Sequence, residues 1–159
     1  MRGSELTIII DSREQNPLKF QEVSGVSVVC EGLDVGDYAY KIGDVVGPIR
    51  IERKSIPDLF GSFSSGYEAE KAKIIKARQL GYKYILAIEG TAFDVREGHQ
   101  YRRDGEVVAF KKDGLSQIRQ LMTSYAKGYF DIWWSKSRHE LAFMIQEYFR
   151  AVVKLNEGE

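Results

Sequence analysis

The sequence predicts an α/β fold, a mixed sheet sandwiched between helices. Leu6 to Ile10 reads LTIII, a continuous apolar run rich in β-branched residues that empties into the polar cluster Asp11, Ser12, Arg13 and Glu14. That is the pattern of a buried central strand running into a loop at its C-terminal end. Further strand-like runs follow, and helical patterns fill the spaces between the later ones, an order that argues for a sheet with helices on its faces.

The elements follow in turn. Val26 to Val29 reads as a second strand, and Tyr38 to Ile42 pairs with Ile49 to Arg53 as a hairpin joined through Gly43, Asp44 and Gly47. Glu68 to Leu80 is a helix with Ala69, Ala72 and Ile75 on one face, charge pairs Glu68 with Lys71 and Glu70 with Lys73, and a stop at Gly81. Tyr84 to Ile88 and Phe130 to Trp134 are apolar strands, and adjacent Trp133 and Trp134 face opposite ways, one into the core and the other toward a partner or groove. Leu115, Ile118, Met122 and Tyr125 recur at helical spacing before Lys127 and a Gly128 cap. Ser137 and Glu140 open the last helix with a capping-box pattern, followed by the stripe Leu141, Met144, Ile145, Tyr148, Phe149 and Val152. Phe93 to Lys112 is polar and charged, with a small hairpin turning at Asp104-Gly105.

Composition narrows the class. A chain of 159 residues fits one domain, 1–159, with no internal repeat and no long linker. Apolar residues at 43% and charged residues at 29% are globular values, and no apolar run approaches the ~20 residues of a membrane helix, so no membrane partner is expected. Cys30 is the sole cysteine and no secretory pattern opens the chain, which points to a reducing compartment, cytoplasmic or nucleoid-associated. Basic and acidic residues balance at 23 each, so a polyanion-binding surface has to be built by clustering cations rather than by excess.

The chemistry concentrates between Gly36 and Asp58. Glu52 and Lys54 are separated by one residue, so on a strand both leave one face, about 7 Å apart, while Arg53 leaves the other. One face thus offers a hard oxygen ligand and a cation. Asp37 supplies a second oxygen ligand if the two strands pair, and Mg²⁺ favours one or two carboxylates completed by water and phosphate oxygens. Asp11 ends a buried strand, where active sites of open α/β sheets collect. Each piece alone has a plainer reading: Gly36-Asp37 as a turn, Glu-Arg-Lys as a solvated edge. Asp58 stays open between a catalytic role and the N3 position of a helix capped by Ser55.

Taken together, Asp11-Ser12-Arg13-Glu14 after a strand, Gly36-Asp37-Tyr38, and Glu52-Arg53-Lys54 with Asp58 after three further residues resemble the XPF-type nuclease domain and its signature GDX(n)ERKX(3)D. The resemblance implies a restriction-endonuclease-like three-layer α/β/α fold with a central mixed sheet. It implies a DNA endonuclease using Mg²⁺ or Mn²⁺, acting on branched or flapped DNA in repair or recombination. Asp37, Glu52 and Asp11 would be metal ligands and Lys54 would orient the attacking water and offset charge in the transition state. Arg53 and Arg13 would hold phosphate or orient carboxylates, with Glu14 and Asp58 in support.

The chain departs from the family pattern after Lys54: Gly66-Tyr67 and Glu70-Lys71 stand where a Gly-Arg pair and a Gln are usual, so that phosphate contact is either missing or moved to Lys71 or Lys73. No helix-hairpin-helix module is expected. Arg102, Arg103, Lys111 and Lys112 either contact the DNA backbone or form a solvated hairpin balanced by Asp104, Glu106 and Asp113. The two apolar helix stripes near the C-terminus either cover the sheet or pair two copies as a homodimer. The rival functional readings are a catalytically idle DNA-binding or interaction module on the same fold and a purely structural subunit.

Overall fold

The computed structural model describes residues 5–63, 67–97, 101–103, 106–108 and 114–158. In chain order these form β1 (Leu6–Asp11), β2 (Val26–Glu31), β3 (Tyr38–Ile42), β4 (Val45–Val46), β5 (Ile49–Ser55), α1 (Ile56–Ser62), α2 (Tyr67–Gln79), β6 (Lys83–Glu89), α3 (Ala92–Arg96), β7 (Tyr101–Arg103), β8 (Glu106–Val108), α4 (Gly114–Ala126), β9 (Asp131–Ser135) and α5 (Arg138–Asn156). The strands of the main sheet lie in the order β2-β1-β3-β5-β6-β9, with β4 beside β3, and β7 and β8 make a separate two-stranded sheet. Strand β1 pairs parallel to β2 and antiparallel to β3, and β5 pairs antiparallel to β3 and parallel to β6, which is parallel to β9. The sheet is mixed, as expected.

The period of two divides each inner strand between two cores. Leu6, Ile8 and Ile10 of β1, Tyr38 and Tyr40 of β3, and Ile49 and Ile51 of β5 pack against Leu141, Ile145 and Phe149 of α5. On the other face Leu86 and Ile88 of β6 pack against Leu59 and Phe60 of α1, Ile74 and Ala77 of α2, and Leu121 of α4. Helices therefore cover both faces, giving the three-layer α/β/α arrangement. Helix α2 ends where Gly81 takes a φ of +77°, a left-handed conformation that breaks the helical ladder and turns the chain into β6.

Several side-chain expectations are corrected. Ala69, Ala72 and Ile75 of α2 face solvent, and the buried row is Glu70, Ile74 and Ala77. Small and β-branched residues marked the wrong side because a charged residue occupies the inner one. On α4 the buried residues are Gly114, Gln117 and Leu121, whereas Leu115, Met122 and Tyr125 are exposed. The stripe of α5 covers the sheet: Leu141, Ile145 and Phe149 are fully buried, with Tyr148 and Val152 packed beside them, so it is not a free pairing surface. Trp133 and Trp134 both pack into the interior, Trp133 against the α5 core and Trp134 against the opposite one, so neither faces a groove alone. The extra strand β4 pairs with the end of β3, so the β3-to-β5 connection is a small hairpin set into a larger one.

Candidate active site

The topology gathers the signature residues at one end of the sheet. Strand β3 runs antiparallel to its neighbours, so its start lies beside the ends of β1 and β5. Backbone hydrogen bonds tie the three together: Asp11 N–H donates to Asp37 O and Asp37 N–H to Ile51 O, each at 2.8 Å. Gly36 delivers the chain to this point with a φ of +84°, and a Cβ there would lie 3.1 Å from Arg50 Cβ. Both the backbone conformation and the close approach call for glycine.

Above this junction is a cleft of about 880 Å³ lined by Asp11, Arg13, Glu14, Asp37, Glu52, Arg53, Asp58, Lys73 and Lys76, among others. Asp37 Oδ2 accepts the Arg53 backbone N–H at 2.8 Å. Burial, then the charge of Glu52, pushes the Asp37 carboxyl up to about 7. Glu52 is also pushed up by burial, an effect countered in part by Lys73 and Lys54. As strand geometry required, Glu52 and Lys54 share the face toward α2. Lys54 Nζ lies 3.6 Å from Glu52 Oε1 and 2.7 Å from Glu70 Oε1, and donates to Ser62 Oγ at 2.7 Å. Lys73 Nζ reaches the same Glu52 oxygen at 3.2 Å.

Arg53, on the opposite face, is engaged by carboxylates. It donates to Glu14 Oε1 and to Glu89 Oε1, each at 2.9 Å. Burial works against its charge but the Glu14 and Glu89 hydrogen bonds outweigh it, so its pKa is raised further. Its guanidinium thus braces the cleft wall, while its backbone N–H orients Asp37. Glu14 has the matching structural part.

Asp11 is likewise committed. Its Oδ1 accepts the Leu33 N–H at 2.9 Å and its Oδ2 the Arg13 Nε–H at 3.0 Å, while Arg13 Nη2 donates to Leu33 O at 2.8 Å. Asp11 and Arg13 together pin the 31–36 loop to the end of β1. Ser55 caps α1, its hydroxyl accepting the Asp58 N–H at 3.3 Å, so the helix-start reading of that segment holds, and the Asp58 side chain lines the cleft edge.

Lys71 does not reach the cleft; it lines a separate groove between α2 and α4. Lys73, one of the two residues proposed to replace the missing arginine contact, does reach it, but on a carboxylate. Arg102 and Arg103 lie on the backbone of β7, and their side chains, with Lys111 and Lys112, lie outside the described residues.

Glu70 was missed as a site residue. It is buried, touches Lys54, and its Oε2 has no hydrogen-bond partner among the described residues. The signal was present in the sequence: Glu70, Ile74 and Ala77 stand at i, i+4 and i+7, a carboxylate leading an inward row.

Among the described residues no three His, Cys, Asp or Glu side chains converge on a metal-holding point. The residues nevertheless fit a hard divalent cation, since Asp37 and Glu52 are oxygen donors and Mg²⁺ is satisfied by two carboxylates plus water and phosphate. The raised Asp37 and Glu52 carboxyls point the same way, because two buried carboxylates without enough positive charge are what a cation relieves.

A family model described as the ERCC4 domain matches residues 10–148. No curated protein sequence matches the chain. Among solved structures the chain resembles XPF from Aeropyrum pernix, with 19% identity and a TM-score of 0.59, and the same protein in complex with DNA, with 19% identity and a TM-score of 0.60. In each case 96% of this chain is covered but only 66% of the other, so it spans just under two thirds of their length. With a matched segment running through nearly all of the sheet and into α5, and with Gly36, Asp37, Glu52, Arg53 and Asp58 of the signature lining one cleft, the chain belongs to the ERCC4 domain family of XPF-type nuclease domains.

Proposed function

We propose that this protein is a divalent-metal-dependent DNA endonuclease, with Asp37 and Glu52 as the ligands of Mg²⁺ or Mn²⁺ and Lys54 as the electrostatic group at the reacting phosphate. The observation that carries the reading is the cleft lined by Asp37 and Glu52, the Asp37 carboxyl raised to about 7 by burial and by Glu52, with buried Lys54 behind the lining, 3.6 Å from Glu52 Oε1. When bound, the metal supplies Lewis-acid polarisation of a phosphate oxygen and a water nucleophile at neutral pH. The chain's own groups do the positioning. The Arg53 N–H fixes the Asp37 carboxylate, and Glu70 and Ser62 hold the Lys54 ammonium against the Glu52 side of the cleft. A cation held in that way stabilises negative charge on the pentavalent phosphate without reorganising during the reaction. DNA as the substrate is supported by family membership and by the fold-level likeness to a protein solved in complex with DNA.

Purified protein is expected to cleave DNA with Mg²⁺ or Mn²⁺ and not with EDTA. Asp37→Asn and Glu52→Gln should abolish cleavage with the fold retained, and Lys54→Ala should lower turnover on the order of 10²-fold. A folded Asp37→Asn protein with undiminished activity would remove the assignment. Retained DNA binding without cleavage at any metal concentration would select the idle DNA-binding module instead. Pairing of two copies would draw on the exposed α4 residues Leu115, Met122 and Tyr125, since the α5 stripe is consumed by the sheet. Light scattering of wild type and Met122→Glu distinguishes a dimer from a monomer.

A further inference from the structure

The cations of the cleft are already engaged. Arg13 is paired with Asp11, Arg53 with Glu14 and Glu89, and Lys73 with Glu52, while Lys54, buried behind the lining, is paired with Glu70 and Glu52. Lys76 donates to the Asp34 carbonyl. A polyanion therefore meets few free positive groups there.

The opposite side of α2 differs. Between α2 and α4 lies a groove of about 610 Å³ whose lining includes Lys71, Arg78 and Lys127 and no carboxylate. Among the described residues none of these three cations makes an ion pair, although the chain as a whole carries equal numbers of acids and bases. The surface between them is mixed, aromatic and aliphatic side chains standing among Gln79, Gln120, Thr123 and Ser124. Tyr67 and Ile75 come from α2 and Tyr129 follows α4, with Arg78 5.1 Å and Lys127 5.9 Å from the centre of the Tyr129 ring.

We propose that this groove is a binding site for a single-stranded segment of DNA, its phosphates on Lys71, Arg78 and Lys127 and an unstacked base against Tyr67, Ile75 and Tyr129. The shape selects an unpaired strand over a duplex. Exposed rings such as Tyr129 and Tyr67 gain from DNA only if a base face reaches them, and in a duplex the base faces are stacked away. Unpaired cations around exposed aromatic rings are the combination that grips single strands without regard to sequence. Placement fits as well. Cleft and groove lie on opposite faces of one helix, with Lys73 and Lys76 lining the first and Lys71 and Arg78 the second. The helix between them is only ~10–12 Å across, so a strand can occupy both.

The inference rests on the proposed nuclease reading for its DNA partner, and the test separates the two. Binding of a fluorescent oligo(dT) and of a duplex of equal length is measured by anisotropy with EDTA across a salt series. The 159-residue chain is compared with a Lys71→Ala, Arg78→Ala, Lys127→Ala triple variant and with Tyr129→Ala. The triple variant is expected to lose at least tenfold in single-strand affinity at low salt. Its slope of log affinity against log salt should fall by roughly 0.7 per lost phosphate contact. Tyr129→Ala is expected to weaken single-strand binding at an unchanged slope, and duplex affinity to change far less in either variant. Equal losses for single strand and duplex, or none, would overturn the groove assignment. Metal-dependent cleavage by Asp37, Glu52 and Lys54 is scored separately, so a failed groove leaves the active-site reading standing and an idle active site leaves the groove testable.

Discussion

Lys73 Nζ stands 3.2 Å from Glu52 Oε1, on the same oxygen that Lys54 approaches at 3.6 Å. The two lysines differ in freedom. Lys54 is buried and fixed by Glu70 and Ser62, whereas the Lys73 side chain is 46% exposed and extends into the cleft from α2. Burial opposes the Lys73 charge, but Glu52 and Glu70 outweigh it and hold its pKa above the ordinary value. Lys73 is thus the cation that a metal at Glu52 has to repel.

Lys73→Met should therefore tighten metal binding. Half-exposed ion pairs are screened by solvent, so the gain is several-fold, on the order of 1 kcal/mol or less. Calorimetric titration of Mn²⁺ into wild type and variant measures it. Equal affinities would mean that Lys73 leaves Glu52 at no cost, and weaker binding that it helps to assemble the site.

The Asp37 carboxyl, pushed up to about 7, makes stability depend on pH with a definite sign. A carboxyl whose folded pKa exceeds its unfolded value binds more protons in the native state, so stability is full at low pH and declines as pH rises toward 7. Asp37→Asn keeps an acceptor for the Arg53 N–H and removes the titration. Thermal melts between pH 5 and 8 should show the variant overtaking wild type near neutrality, and Mn²⁺ should restore wild type. Parallel melting curves would mean that Asp37 titrates near its ordinary value.

The sheet and the signature cleft were legible because both rest on local patterns. The LTIII run announced a central strand, and the one-residue spacing of Glu52 and Lys54 placed both on one face, as found. Helix faces were not legible to the same extent. On α2 the inner row contains Glu70, which propensity and hydrophobicity assign to solvent, and its closest cation, buried Lys54, comes from a strand 16 positions away in sequence. The same limit applies to the partners of Asp11 and Arg53: Leu33, Glu14 and Glu89 reach them from loops and strands whose approach only the fold determines.

Ser55 and Asp58 divide the labour at the start of α1. The Ser55 hydroxyl accepts the Asp58 N–H, a bond made by the Asp58 backbone and indifferent to its side chain. Ser55→Ala should cost about 1 kcal/mol in urea unfolding, whereas Asp58→Asn should stay within about 0.5 kcal/mol of wild type. If Asp58→Asn nevertheless loses cleavage or metal affinity at unchanged stability, its carboxylate at the cleft edge acts on the metal or its water shell.

Glu70 is the residue whose removal best distinguishes support from chemistry. Its Oε1 lies 2.7 Å from Lys54 Nζ with both side chains buried, and breaking such a pair strands a charge in the interior. Glu70→Gln should lower stability by about 3 kcal/mol, moderated by the remaining contact of Lys54 with Glu52. Paired removal behaves differently. If the two groups act as a unit, Glu70→Gln with Lys54→Met should be more stable than the sum of the single variants, by a coupling of about 1–3 kcal/mol in a double-mutant cycle. Additive stability losses would mean that Lys54 takes its anchorage from Glu52 and Ser62 alone. If Lys54 acts on the phosphate as proposed, Glu70→Gln should also reduce turnover more than it weakens DNA binding, the mark of a residue that orients a catalytic cation rather than one that grips substrate.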